Sequence, residues 1–157
     1  IFHEIEKKVQ STLLLVGDGP DRSVCEHLVR ELGIQDHVRF LGKQQELVPL
    51  LSSSDLMLMP SQSESFGLSA LEAMSGGLAV CATNEGGTGE IIRHGENGFV
   101  HSPRDVDGMV ATLGALFDDP SRLERVGAAG RRTAVEEFTV EAAVAKYLSV
   151  YEEALSR

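Results

Sequence analysis

The chain has 157 residues, 42% of them apolar, with 24 acidic against 14 basic side chains and a formal net charge of −10 at pH 7. That size suits one domain with a substantial core, and the composition is that of a globular protein rather than a disordered one. The acidic balance argues against a nucleic-acid partner, and no apolar run approaches the roughly 18 residues of a membrane span. No secretory pattern marks the first residues, so a cytoplasmic location is expected. Cys25 and Cys81 have no metal-ligand spacing and read as core thiols in a reducing compartment.

In chain order, Ile1, Phe2, Ile5 and Val9 suit the apolar side of a helix. Thr12–Val16 reads as a strand, and Gly17-Asp18-Gly19-Pro20 as a tight turn into a helix over Asp21–Leu32, with Pro20 near its first turn. As a phosphate loop that turn lacks the longer glycine spacing and the Lys-Ser/Thr ending. Strands follow at Val38–Leu41, Leu56–Met59, Leu78–Ala82 and Phe99–His101, separated by helices or single turns at Gln45–Ser52, Leu68–Ser75 and Gly89–Ile92. Strand alternating with helix predicts a parallel sheet with right-handed crossovers, a Rossmann-like, doubly wound α/β fold. The strands are nearly continuous in Leu, Val and Met, as expected when helices cover both faces.

After Pro103 the periodicity becomes helical throughout. Val106, Met109, Val110, Leu113, Leu116 and Phe117 share a helix face, and Asp118-Asp119-Pro120 breaks the run. A second helix is predicted from Ser121 through about Thr133, and a third from Val140 to Leu155, with Val144, Tyr147, Leu148 and Tyr151 on one face.

The chemistry concentrates in Pro60–Gly77, PSQSESFGLSALEAMSGG. A strand enters a polar turn and then a helix, which aims backbone N–H groups and the positive end of a helix dipole at an anion. Glu64 and Glu72 flank this helix start. Carboxylates accept hydrogen bonds and repel phosphate, so they suit hydroxyl-rich groups such as a ribose and a hexose. A ligand combining phosphate with two sugars is a nucleotide-sugar. Gly67 permits close backbone approach to it. Two carboxylates also fit a glycosidase acid and nucleophile, an option that spacing alone leaves open. His94 and His101 read as solvated or capping side chains, and no residue stands out as a general base.

Several segments in order carry a family resemblance: Leu13 to Pro20, Val38 to Gly42, Glu64-Ser65-Phe66-Gly67-Leu68, Glu72-Ala73-Met74, Gly86-Gly87 with Glu90, and Gly95 to Phe99. From about Thr12 onward the chain resembles the C-terminal, donor-binding half of retaining glycosyltransferases of the GT-B fold, of the glycosyltransferase family 4 type. Gly42-Lys43-Gln44 and Ser54 to Leu58 resemble in particular the N-acetylglucosaminyl malate synthases of bacillithiol biosynthesis. The resemblance implies transfer of a hexose, N-acetylglucosamine from UDP-N-acetylglucosamine, to a small hydroxyl acceptor such as L-malate. It implies no metal and no cofactor beyond the donor substrate, and front-face attack helped by the leaving phosphate.

By the same resemblance, Glu64, Phe66, Gly67 and Leu68 bind the donor sugar and its diphosphate, Glu72 binds the ribose, and Gly42 and Lys43 meet the nucleobase. The Lys43 side chain is equally readable as plain surface. Two positions depart from the family pattern. Gly89 and Ala79 stand where prolines are common, which loosens the backbone. The family's domain also opens with a strand and with an Arg and a Lys for the pyrophosphate, and neither is found here, nor is the acceptor domain that precedes them. The chain therefore reads as a fragment without turnover of its own, with an exposed sheet edge or gap, and a homo-oligomer among the outcomes. The competing reading is a non-catalytic nucleotide-sugar-binding or self-associating α/β module.

Overall fold

The structure is a computed structural model and describes residues 1–156. The elements run α1 (Phe2–Glu6), β1 (Leu13–Val16), α2 (Arg22–Glu31), β2 (Val38–Gly42), α3 (Val48–Ser52), β3 (Leu56–Met59) and α4 (Leu68–Ser75). They continue with β4 (Ala79–Thr83), α5 (Thr88–Ile91), β5 (Phe99–His101), α6 (Val106–Asp118), α7 (Pro120–Glu137) and α8 (Val140–Leu155). A single 3-10 turn, Gln35–His37, leads into β2.

Every strand pairing is parallel, as the alternating pattern requires, but the strands form two sheets instead of one. β1 pairs with β2, Leu13 opposite Val38, with an irregularity between Leu15 and Val16. In the second sheet β4 lies between β3 and β5, with Leu56 opposite Ala79 and Cys81 opposite Phe99. Between the sheets lies a cleft of about 990 Å3, lined by Leu13 to Val16 on one side and Leu56 to Leu58 on the other.

The core sits on both faces of the three-stranded sheet. Alternation along β3 sends Met57 and Met59 to a cluster with Ala70, Ala73 and Met74 of α4, and Leu56 and Leu58 to one with Met109, Leu113 and Leu116 of α6. All five residues of β4 are buried. Burying a side chain such as Met74, which is fully inaccessible, contributes about 1.5–3 kcal/mol. Helix α7 reaches α4 and β4 closely because it presents glycines. A Cβ on Gly127 would strike the Gly77 carbonyl, and one on Gly130 would come within 3.0 Å of the Asn97 carbonyl. Asp119 caps α7 by accepting from the Arg122 N–H, with Pro120 at the first helical position.

The differences from expectation have local causes. α3 begins at Val48 rather than Gln45, with Pro49 in its first turn. Cys81 is a buried core thiol, but Cys25 is exposed, which corrects its reading as a core residue. α2 buries no side chain, and its apolar row stays open to solvent, Val24 at 63% and Leu28 at 50% exposure. The apolar row of α8 is uncovered in the same way, with Val144, Tyr147, Leu148 and Tyr151 all exposed. Among the described residues no helix is long and apolar enough to cross a membrane.

Candidate functional site

The site is built on the β3–α4 unit. β3 ends at Met59, and the chain turns through Pro60 to Phe66 before α4 starts. Gly67 is the N-cap of α4, in the left-handed region at φ 95°, ψ 38°, a conformation open to glycine at little cost. That backbone twist lets α4 begin directly beneath the loop. The orphan N–H groups of its first turn point outward at the helix's positive end.

Glu64 does not stand free beside this helix start. Its Oε1 accepts from the Ser65 N–H at 3.0 Å and from the Gly67 N–H at 3.2 Å, so the carboxylate caps its own loop. An anion arriving at Gly67 competes with Glu64 for that donor. Phe66 rests edge-on against Phe138, with centroids 6.2 Å apart, and Lys146 lies over the other ring at 5.6 Å. Leu68 is 64% exposed, offering backbone and an uncovered side chain at the entrance. Glu72 projects from α4 into the cleft between the two sheets, which Ser69 also lines.

A second loop locks the first in place. The Gly87 N–H donates to the Ser65 carbonyl at 3.0 Å. A Cβ on Gly86 would collide with the Glu64 carbonyl, and one on Gly87 would come within 3.0 Å of Phe66 Cα. Beneath them Thr88 is fully buried, and its hydroxyl has no hydrogen-bond partner among the described residues. It lies 3.3 Å from the place a Cβ on Gly67 would occupy. The sequence showed Gly86-Gly87 as a family motif ahead of a helical turn; nothing in it showed that the pair presses on Glu64 and Phe66.

Glu64, Phe66, Gly67, Leu68 and Glu72 therefore belong to one strand–helix unit. Gly42 and Lys43 belong to the other sheet, at the carboxyl end of β2, where the Gly17 N–H donates to the Gly42 carbonyl at 2.8 Å. Gly42 has φ 66°, and Lys43 is exposed. Sequence reasoning missed Arg22 at this point. Its guanidinium lies 5.6 Å over the Phe40 ring and 3.6 Å from a Cβ position on Gly42, while Nε bonds Glu26 at 2.9 Å. The signal was an arginine directly after the Gly17–Asp21 turn.

The histidines are tied into structure. His94 Nδ1 meets the backbone of Val100. His101, with its side chain 10% exposed, contacts Asp105 at 3.1 Å and Thr112 at 3.0 Å; it braces the N-cap of α6 and is not solvated. Among the described residues no group of three or more His, Cys, Asp or Glu is arranged to hold a metal ion.

Residues 1–133 match the family model described as glycosyl transferases group 1. The N-acetyl-α-D-glucosaminyl L-malate synthase of Bacillus anthracis is 40% identical over 154 residues, covering 98% of this chain and 40% of that protein. Among solved structures, HepE of Anabaena in complex with UDP superposes with a TM-score of 0.83 at 27% identity, over 94% of this chain and 43% of that one. The C-terminal domain of the group 1 glycosyl transferase LpcC of Francisella tularensis superposes with a TM-score of 0.77 at 26% identity, over 88% of this chain and 78% of that domain. The fold and the loop–helix site define a GT-B-type α/β domain, and the chain belongs to the group 1 glycosyltransferases. It spans about two fifths of the length of the curated relatives it matches.

Proposed function

We propose that this chain is the donor-binding domain of a retaining glycosyltransferase that moves N-acetylglucosamine from UDP-N-acetylglucosamine to a small hydroxyl acceptor such as L-malate. The observation that carries the reading is the α4 start: Gly67 in a left-handed turn, two flanking carboxylates, and a second glycine loop pressed against it. The 40% identity to an N-acetyl-α-D-glucosaminyl L-malate synthase supports the choice of sugar and acceptor, and the UDP complex of HepE supports the nucleotide.

In this reading the diphosphate takes the N–H groups of Phe66, Gly67 and Leu68 at the helix's positive end. Glu72 accepts from the ribose hydroxyls and Glu64 from those of the transferred sugar. Backbone at Gly42 and Lys43 meets the uracil. The leaving diphosphate needs compensation that a chain of net charge −10 does not supply by its overall field, so amides, the dipole and cations from further polypeptide neutralise it without a metal. The acceptor is held by polypeptide beyond this chain, and turnover belongs to the whole protein, in the cytoplasm.

Calorimetric titration with UDP and UDP-N-acetylglucosamine tests the reading, with Glu72→Ala as control. Binding in the micromolar to millimolar range that disappears in the folded variant supports it. No binding to the folded chain, or binding that Glu72→Ala leaves unchanged, overturns it.

A further inference from the structure

Thr88 carries a hydroxyl with no hydrogen-bond partner among the described residues, directly behind the turn that starts α4. We propose that Thr88 is a positioning residue for diphosphate binding: its hydroxyl engages the Phe66 carbonyl once an anion takes the Gly67 N–H from Glu64. The inference rests on the reading of the α4 start as the diphosphate site and adds a residue to it.

The hydroxyl is the first reason. Thr88 is fully buried, yet Oγ1 makes none of the backbone bonds that a threonine ordinarily makes within its own turn. Proteins seldom bury a polar group in that condition, because its lost hydration is uncompensated. Packing does not call for it either. Ile91 Cδ1 shares the space behind Gly67, 3.7 Å from the position of a Cβ there, and a valine at 88 would fill the same volume without stranding an oxygen.

The location gives the hydroxyl a target. Oγ1 is 3.3 Å from the place a Cβ on Gly67 would occupy, and a Cβ on the preceding Gly87 would come within 3.0 Å of Phe66 Cα. Thr88 thus sits behind the Phe66–Gly67 peptide. In a planar trans peptide the carbonyl points away from the N–H. The Gly67 N–H now faces Glu64 Oε1 at 3.2 Å, the long end of the N–H···O range.

A phosphate oxygen at the helix's positive end draws that N–H outward, away from Glu64. Glycine at 67 lets the peptide plane turn at little cost, and the same turn brings the Phe66 carbonyl inward onto Thr88. A hydroxyl donating to this carbonyl polarises the peptide and strengthens its N–H as a donor. Thr88 touches no ligand atom; it acts through the Gly67 peptide. Glu64, released from Gly67, becomes available to the sugar hydroxyls.

The test compares this chain with Thr88→Val and Thr88→Ser by denaturant unfolding and by titration with UDP and with uridine, the latter followed through NMR amide shifts. Thr88→Val is expected to be at least as stable as the unaltered chain, because it removes an unbonded buried group. It should weaken UDP about 10-fold, while uridine, which lacks the diphosphate, changes by less than about 2-fold. Thr88→Ser keeps the hydroxyl and should hold UDP affinity within about 3-fold. A threonine serving structure alone moves stability and both ligands together. Reduced stability or unfolding of Thr88→Val overturns the inference, since the hydroxyl is then already bonded in the free protein. Unchanged UDP affinity in Thr88→Val, where the unaltered chain binds UDP, overturns the inference alone. No UDP binding by the folded unaltered chain overturns the proposed function and this inference together.

Discussion

Gly86 lies against the carbonyl oxygen of Glu64 so closely that the two backbones leave no space for a Cβ between them. Two loops thus share one geometry, and the loop whose carboxylate accepts from the Gly67 N–H is held from behind. Gly86 also has φ 56°, so a side chain there is strained twice. Gly86→Ala is expected to cost about 2–4 kcal/mol from the left-handed backbone and the displaced carbonyl. Chemical denaturation reads the stability loss, and UDP titration of the still-folded fraction reads weakened binding. Wild-type stability in the variant would remove the clamp from the account.

Glu64 and Glu72 are expected to separate sugar from nucleotide. Glu64→Ala removes a sugar acceptor but also frees the Gly67 N–H that Glu64 now occupies. UDP affinity therefore stays within about 3-fold, whereas UDP-N-acetylglucosamine weakens about 10-fold, the equivalent of one hydrogen bond to a charged group. Glu72→Ala weakens both ligands alike. Equal losses for the two ligands in Glu64→Ala would place that carboxylate in loop structure alone.

Asn97 is 2% exposed and satisfies three groups: its amide donates to Ile91 O at 3.1 Å and Thr133 Oγ1 at 3.0 Å, and its carbonyl accepts from the Arg93 N–H at 2.7 Å. Arg93 adds bonds to Thr133 and Glu137. Asn97→Ala strands buried partners and is expected to cost about 2–3 kcal/mol, measured by denaturant unfolding with an unchanged slope.

Two helix caps contribute to the acid response. The Ser121 hydroxyl, then the Arg122 N–H, hold the Asp119 carboxyl below the usual carboxylate range. His101, then the Gly108 N–H, do the same for Asp105. A depressed folded pKa contributes stability above the unfolded value and loses it as pH falls through the folded one. The thermal midpoint should hold from neutral pH to about 5 and fall below about 4. Asp119→Asn, which still caps without titrating, should shrink that fall; an identical acid profile would assign it elsewhere.

The thiols should differ sharply. Burial pushes Cys81 up to about 12, so it stays protonated and hidden, while Cys25 is exposed. A thiol reagent at pH 8 should titrate one group in native protein and two in denaturant. Because the unfolded thiol ionises first, Cys81 also lowers stability as pH rises above about 8.5. Two fast groups in native protein would contradict the burial.

Strand and helix positions were legible because period and punctuation agree locally. α4 and β5 have their expected bounds, and the Asp119-Pro120 break is a cap with proline at the first helical position. The loop from Glu64 into α4, which carries Glu72, was legible from residue types. What the sequence did not reveal depends on contacts across long separations: Gly86 against Glu64, Arg22 beside Gly42, Phe66 against Phe138. Nor does apolar spacing on α2 say whether anything covers that face, which is how Cys25 came to be misread.

The division of the sheet has a consequence for how the molecule comes apart. The β1–α2–β2 portion contributes only Ile34 and Val38 to the buried apolar set, against a dense group from α4, β4, α5, α6 and α7. Cooperativity follows buried contact, so the two portions should open as separate units with different free energies. Heating should release the amides of β1 and β2 well before those of β4, giving a broad first transition and a sharp second. The half that offers Gly42 would then melt while the half that carries Gly67 remains folded.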